Sequence, residues 1–146
     1  MGAVMLDDIL VTPLSKIDVV GGNVMHCMRA NDSGYLGFGE AYFSFIKPGA
    51  IKAWKRHTQM TMNIIVPIGM VRFVFFITNS NGTAVFREEN IGKDKYVRIT
   101  VPPGIWFGFK GISLSNSLIL NIASIPHDPL EVERLSLDKV SYAWRQ

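Results

Sequence analysis

Short runs of β-branched and aromatic residues, each closed by Gly, Pro, Asn or Asp, recur along almost the whole chain. Apolar residues at helical spacing are nearly absent, so the local pattern is that of strands separated by turns. The runs fall at 23–29, 40–46, 50–54, 61–66, 70–78, 83–87, 96–101, 105–110 and 118–124. Asn79-Ser80-Asn81-Gly82 reads as a hairpin turn, because Asn and Gly tolerate the positive φ that tight hairpins need. Pro48-Gly49, Pro67-Ile68-Gly69 and Pro102-Pro103-Gly104 are the other breaks. About nine strands at this spacing specify an all-β sandwich or barrel. Helix is expected only in short pieces, near 1–10 and 130–135. The most apolar stretch, 62–77, is interrupted by Asn63, Pro67, Gly69 and Arg72 and does not read as a membrane span.

At 146 residues, with 48% hydrophobic and 18% charged residues, the chain suits one domain over 1–146, its core at about 18–128 and a tail at 129–146. Its single thiol, Cys27, allows no intrachain disulfide and no Cys-rich zinc site, which favours a reducing, cytoplasmic setting. Asp7 and Asp8 near the start leave no basic segment leading into an apolar one, so no signal peptide is expected. A formal charge of +3 exerts little long-range pull on a polyanion, and no basic face with interleaved aromatics is visible, so nucleic acid is not an expected partner. The charge is clustered, however. Lys47, Lys52, Lys55, Arg56 and His57 lie close together, while Glu88, Glu89, Asp128, Glu131 and Glu133 gather elsewhere. The cations form either a solvated strand edge or a pocket for a small anion such as a diphosphate.

Two segments have the spacing of cupin motifs: Lys55-Arg56-His57 before the run 61–66, and Pro102-Pro103-Gly104-Ile105-Trp106-Phe107. A metal-binding cupin needs several imidazoles and a carboxylate converging inside the barrel. Here Lys55 and Phe107 stand at two His positions, and Gln59 and Met60 stand where the carboxylate belongs. His57 alone does not make a metal site, so neither metal nor other cofactor is expected.

The same stretches resemble a metal-free cupin family, the dTDP-4-dehydrorhamnose 3,5-epimerases (RmlC-like cupins), and within it a short, divergent branch. The resemblance is carried by Gly37-Phe38-Gly39-Glu40-Ala41-Tyr42-Phe43-Ser44 and Pro48-Gly49-Ala50-Ile51-Lys52-Ala53-Trp54-Lys55-Arg56-His57. It continues through Glu89-Asn90, Val101-Pro102-Pro103-Gly104-Ile105-Trp106-Phe107-Gly108-Phe109, and His127-Asp128-Pro129 with Glu133. It runs from about Asp18 to Trp144. It implies a cupin-type β-barrel or jelly roll and a homodimer with N-terminal strands crossing between protomers. It also implies a metal-independent epimerase or isomerase of a nucleotide-linked 4-keto-6-deoxy sugar, in deoxysugar or surface-polysaccharide biosynthesis.

The resemblance also assigns roles. Such enzymes remove a proton beside a ketone and return it on the opposite face, which requires a base, a cation at the enolate oxygen and an acid. The family's Arg-Gly-x-His stretch reads Lys52-Ala53-Trp54-Lys55 here, so Lys52 keeps the positive charge and Lys55 replaces the base. His57 lies two residues on and, by strand alternation, shares the face of Lys55, from which it could act as base. Asn121 falls at the family's catalytic Tyr, Phe107 at its second His, and Asp138 near the Asp that orients the base. The catalytic candidates are therefore His57, Lys55 and Asp138. Lys52, Arg72, Tyr42, Glu40, Trp54, Trp106 and Asn121 are the candidates for substrate binding. Tyr42 is a stacking group, an acid or core, and Trp54 and Trp106 line a sugar site or fill the barrel. The side on which Arg72 projects from its apolar strand is left open. His26, His127 and Cys27 are expected to be structural. These substitutions leave three readings: a changed epimerase or ketoisomerase, a single-centre epimerase, or a barrel that binds nucleotide sugar without chemistry.

Overall fold

A computed structural model describes residues 3–145, and within them twelve strands. They are β1 (Leu10–Pro13), β2 (Lys16–Val19), β3 (Gly22–Met25), β4 (Glu40–Ile46), β5 (Ile51–His57) and β6 (Met62–Ile68). The second half adds β7 (Met70–Thr78), β8 (Ala84–Gly92), β9 (Val97–Val101), β10 (Trp106–Gly111), β11 (Ser117–Ala123) and β12 (Val132–Arg134). One five-stranded antiparallel sheet has the order β1-β9-β6-β11-β4, and the other β12-β5-β10-β7-β8. The chain passes repeatedly between the two sheets, which face each other as a cupin-type jelly roll, and β2 and β3 form a separate hairpin.

Alternation along the strands decides what the space between the sheets receives. Val71, Phe73 and Phe75 of β7 and Phe107 of β10 meet Ile64, Val66, Ile99 and Ile119 of the opposite sheet. The other face of β7 and β10, carrying Val74, Phe76 and Trp106, packs with Trp54 under Leu135, Val140, Tyr142 and Trp144. Strand β7 is covered on both sides, which is why residues 73–76 read as an unbroken apolar run rather than an alternating one. Asn79-Ser80-Asn81-Gly82 does turn β7 into β8: the Asn79 and Asn81 side chains both accept from the Thr83 amide, and Gly82 has φ 86°.

The terminal segments depart from expectation. Residues 130–135 contain no helix. They supply β12, whose Val132, Glu133 and Arg134 pair with His57, Arg56 and Lys55 of β5. The free edge of β5 offers backbone hydrogen bonds that three residues cannot match with a helical turn of their own. At the other end, the only helical piece among the described residues is a 3₁₀ turn, Leu6–Asp8, after which Ile9 enters the core and β1 pairs with β9. Met1 and Gly2 lie outside the described residues. A second 3₁₀ turn, Leu137–Lys139, follows β12.

One irregularity positions the site. Phe107 of β10 pairs with Lys55, yet Phe109, two residues on, pairs with Lys52. Strand β5 therefore carries one extra residue, a β-bulge at Ala53-Trp54 opposite Gly108. A Cβ on Gly108 would collide with the Ala53 methyl, so glycine makes the close approach possible.

Candidate active site

The bulge breaks the strict alternation of β5, with the result that Lys52 and Lys55, three residues apart, both reach the interior of the barrel. There they border a cavity of about 400 Å³. Its floor is apolar, built from Ile64, Phe73, Phe107 and Phe109, and Tyr42, Ser44 and Asn121 enter from β4 and β11. Arg134, opposite Lys55 in the β12 ladder, is the third cation on the wall. No carboxylate lines the cavity among the described residues. Three positive side chains over an apolar floor, without a matching acid, raise the local potential far above what a +3 chain would suggest.

The three cations are held differently. Lys52 Nζ donates to the Phe45 carbonyl at 3.2 Å. Arg134 and Lys55 make no hydrogen bond or ion pair among the described residues, and Lys55 Nζ lies 5.5 Å from the centre of the Phe107 ring. Burial, then the charges of Arg134 and Lys52, hold the Lys55 ammonium below the usual lysine pKa, against an opposing pull from Glu131. Burial and the charge of Glu40 push the Tyr42 phenol upward, Arg134 opposing, so Tyr42 remains a hydroxyl donor at neutral pH. Asn121 donates to the Tyr42 carbonyl at 3.4 Å and the Ser44 hydroxyl at 3.3 Å, which fixes its amide at the wall.

His57, on the inward side of β5 beyond Lys55, is buried next to Phe107, the ring centres 6.3 Å apart. Its Nδ1 meets Glu131 Oε1 at 2.5 Å, and Glu131 Oε2 accepts from the Gln59 and Met60 amides at 3.2 and 3.1 Å. Burial alone would raise the Glu131 pKa, but the bonds from His57, Gln59 and Met60 outweigh it and keep the carboxylate charged. Burial pushes His57 below its ordinary pKa, more than Glu131 pulls it up. A neutral imidazole beside a carboxylate must carry its proton on Nδ1, and this leaves Nε2 as a lone pair. Nε2 is buried and has no partner. The pair thus has the form of a general base with its orienting carboxylate.

The sequence-derived candidates divide accordingly. Lys52, Lys55, Tyr42 and Asn121 meet at the cavity, and Trp54 borders it, although its indole packs outward against Phe76, Tyr142 and Trp144. Glu40 stands at the start of β4, where its carboxylate accepts from the His127 amide rather than lining the wall. Trp106 is on the outer face, stacked on Phe76 and under the Arg56 guanidinium. Arg72 is also outside: β7 alternation sends Phe73 inward and Arg72 to Asn90 and the Arg145 carbonyl. Asp138 does not orient His57. It is exposed in the second 3₁₀ turn, and the orienting acid is Glu131, seven residues earlier in the chain. Glu131 stands in the sequence only as one of a group of acids, and Arg134 carries no signal there at all. No group of three or more His, Cys, Asp or Glu placed to hold a metal occurs among the described residues. A second hollow, of about 470 Å³ beside β1, has Arg98 at its wall, but that guanidinium already donates to the Cys27 and Ser33 carbonyls.

No family model matches the sequence, and no curated protein does. Among solved structures, a dTDP sugar isomerase from Desulfovibrio desulfuricans G20 is 30% identical, with a TM-score of 0.88 over 97% of this chain and 95% of that one. The chain belongs to the RmlC-like family of dTDP-sugar isomerases and epimerases. More distant structures share the fold of this RmlC-like chain. QdtA, a sugar 3,4-ketoisomerase from Thermoanaerobacterium thermosaccharolyticum solved with TDP, is 15% identical over 92% of this chain and 93% of that one, with a TM-score of 0.75. A dTDP-4-dehydrorhamnose 3,5-epimerase from Sulfolobus tokodaii is 15% identical over 92% and 80%, with a TM-score of 0.76. No helix among the described residues is long and apolar enough to cross a membrane.

Proposed function

We propose that this RmlC-like protein is a metal-independent isomerase or epimerase of a nucleotide-linked 4-keto-6-deoxy sugar. One observation carries the reading: Lys52, Lys55 and Arg134 converge on a cavity with no lining acid, and a His57–Glu131 pair with a bare Nε2 lies beside it. The cations suit a diphosphate and the oxygen of a ketone, and the Phe73, Phe107 and Phe109 surface suits the unsubstituted methyl of a deoxy sugar. In this scheme His57 Nε2 takes the proton beside the ketone, Arg134 and the Tyr42 hydroxyl hold the developing oxygen charge, and Glu131 stabilises the imidazolium. Moving a keto group and inverting a centre share this first step. The likeness to a dTDP sugar isomerase supports the substrate class.

The test is incubation with TDP-4-keto-6-deoxyglucose in D₂O, with binding established by calorimetry and the C3 and C5 protons followed by NMR. Deuterium entry at either carbon is expected; bound sugar that keeps its protons would refute the isomerase. A second reading, a nucleotide-sugar binder without chemistry, is favoured by the position of His57, which adjoins Phe107 but is not itself on the cavity wall. Tight binding without exchange is its signature.

The assembly proposed for the chain is a cytoplasmic homodimer, with a role in deoxysugar or surface-polysaccharide synthesis. Its support is the outer face of β4, the edge strand of its sheet, where Phe43 and Phe45 are 64% and 61% exposed. Sedimentation at the mass of one chain would contradict the dimer.

A further inference from the structure

An isomerase of this kind needs a donor at the ketone oxygen, and Arg134 already stands on the cavity wall as a cation that never loses its proton. The lysine opposite it in the ladder has different chemistry. Lys55 has no hydrogen bond or ion pair among the described residues, its amine rests over the Phe107 face, and two cations, Arg134 and Lys52, flank it on the same wall. Lys52, by contrast, is tethered to a carbonyl and exposed. A lysine in an apolar pocket next to other cations is the arrangement that makes an amine nucleophilic toward carbonyl carbon, because both features favour the neutral form. The direction of the Lys55 shift agrees with that.

We propose that Lys55 forms a covalent imine with the ketone of the bound sugar, so that proton exchange and inversion at the adjacent carbon proceed through an enamine. The inference rests on the isomerase reading and deepens it. The Lys55 Nζ lone pair attacks the carbonyl carbon, a C–N bond forms, and the oxygen takes a proton to give a carbinolamine. Loss of water gives the protonated imine, a stronger electron sink than the ketone. His57 Nε2 then removes the proton from the adjacent carbon, and the C–H electron pair becomes the C=C bond of the enamine while the C=N pair returns to nitrogen. A proton returned to the same carbon, from the opposite face, regenerates the protonated imine, and addition of water releases the ketone with its neighbouring centre inverted and the free amine. Water leaves in the first half and returns in the second, so nothing is oxidised or reduced.

The test adds sodium cyanoborohydride to the intact protein with TDP-4-keto-6-deoxyglucose and reads the protein mass, with the D₂O exchange run in parallel. The expected result is a reduced adduct, one water lighter and two hydrogens heavier than protein plus ligand, which peptide mapping places on Lys55. Ketone ¹⁸O is also expected to wash out faster than in the absence of protein. Lys55→Arg keeps the charge but cannot form an imine, so it should retain TDP binding and lose both adduct and exchange. Exchange without an adduct, with ¹⁸O lost no faster than without protein, would overturn the imine and leave the isomerase standing. An adduct on another lysine would also overturn it. Bound ligand showing neither exchange nor adduct would overturn both proposals, whereas an adduct on Lys55 without exchange would uphold the nucleophile and reject the isomerase.

Discussion

Replacing Glu131 by Gln changes one atom of a carboxylate that is 2% exposed and accepts three hydrogen bonds. The amide offers one acceptor and one donor where three donors now converge. If its oxygen faces the Gln59 and Met60 amides, its NH₂ meets His57 Nδ1 and forces the proton onto Nε2. If it turns round, the Gln59 and Met60 N–H groups lose their acceptor, at about 1–3 kcal/mol for the buried Met60 group. The first arrangement is therefore the cheaper. It still exchanges three charge-assisted bonds for neutral ones, a loss of about 1 kcal/mol apiece, partly offset because a neutral amide is easier to bury than a carboxylate. Glu131→Gln should thus lower unfolding stability by about 1–3 kcal/mol at neutral pH, read from the urea midpoint at constant slope. ¹⁵N NMR should show His57 switching from the Nδ1–H to the Nε2–H tautomer, and proton exchange on the sugar should fall with it. A variant as stable as the parent, with His57 still protonated on Nδ1, would refute the hydrogen-bond account.

Arg134→Ala and Lys52→Ala should each weaken TDP binding about 10-fold or more, the worth of one charge-assisted bond, and flatten its salt dependence; unchanged calorimetric affinity would argue against the cationic wall. His57 and Glu131 both titrate lower in the folded chain than their ordinary values of 6.5 and 4.5. The unfolded chain therefore takes up protons first as pH falls. The contribution of this pair to stability should be complete above about pH 6.5 and decline through two windows, below 6.5 and below 4.5, in urea titrations at a series of pH values. Gly108→Ala places a methyl against Ala53 at the bulge, so it should cost about 1–3 kcal/mol and reduce TDP affinity as Lys52 and Lys55 lose their common orientation; intact affinity would show that the bulge is dispensable.

Much of the barrel is legible in the sequence because its strands obey period two and its turns use residues with a mechanical reason to be there. The run at 70–78 and the Asn-Gly turn after it are recovered nearly to the residue. The site is harder to read, for reasons that are local. Lys52 and Lys55 share a wall only because of the bulge at Ala53-Trp54, and strict alternation would have put them on opposite faces. Arg72 lies in a strand apolar on both faces, so no polar neighbour reveals its parity. Its true partners, Asn90 and the Arg145 carbonyl, are 18 and 73 residues away. Likewise β12 is too short to show any period, and its Arg134 and the preceding Glu131 acquire meaning only through pairing with β5. Proximity in sequence favoured neither of them over Asp138.

The central claim is that His57 moves a proton on a keto sugar held by the cationic cavity. It is tested most directly by the rate of deuterium entry into TDP-4-keto-6-deoxyglucose with the parent protein and with His57→Gln, both saturated with ligand. The account predicts exchange by the parent and a loss of about 100-fold or more in the variant at similar TDP affinity. Equal rates in the two proteins, or no exchange by a parent that binds the sugar, would contradict it.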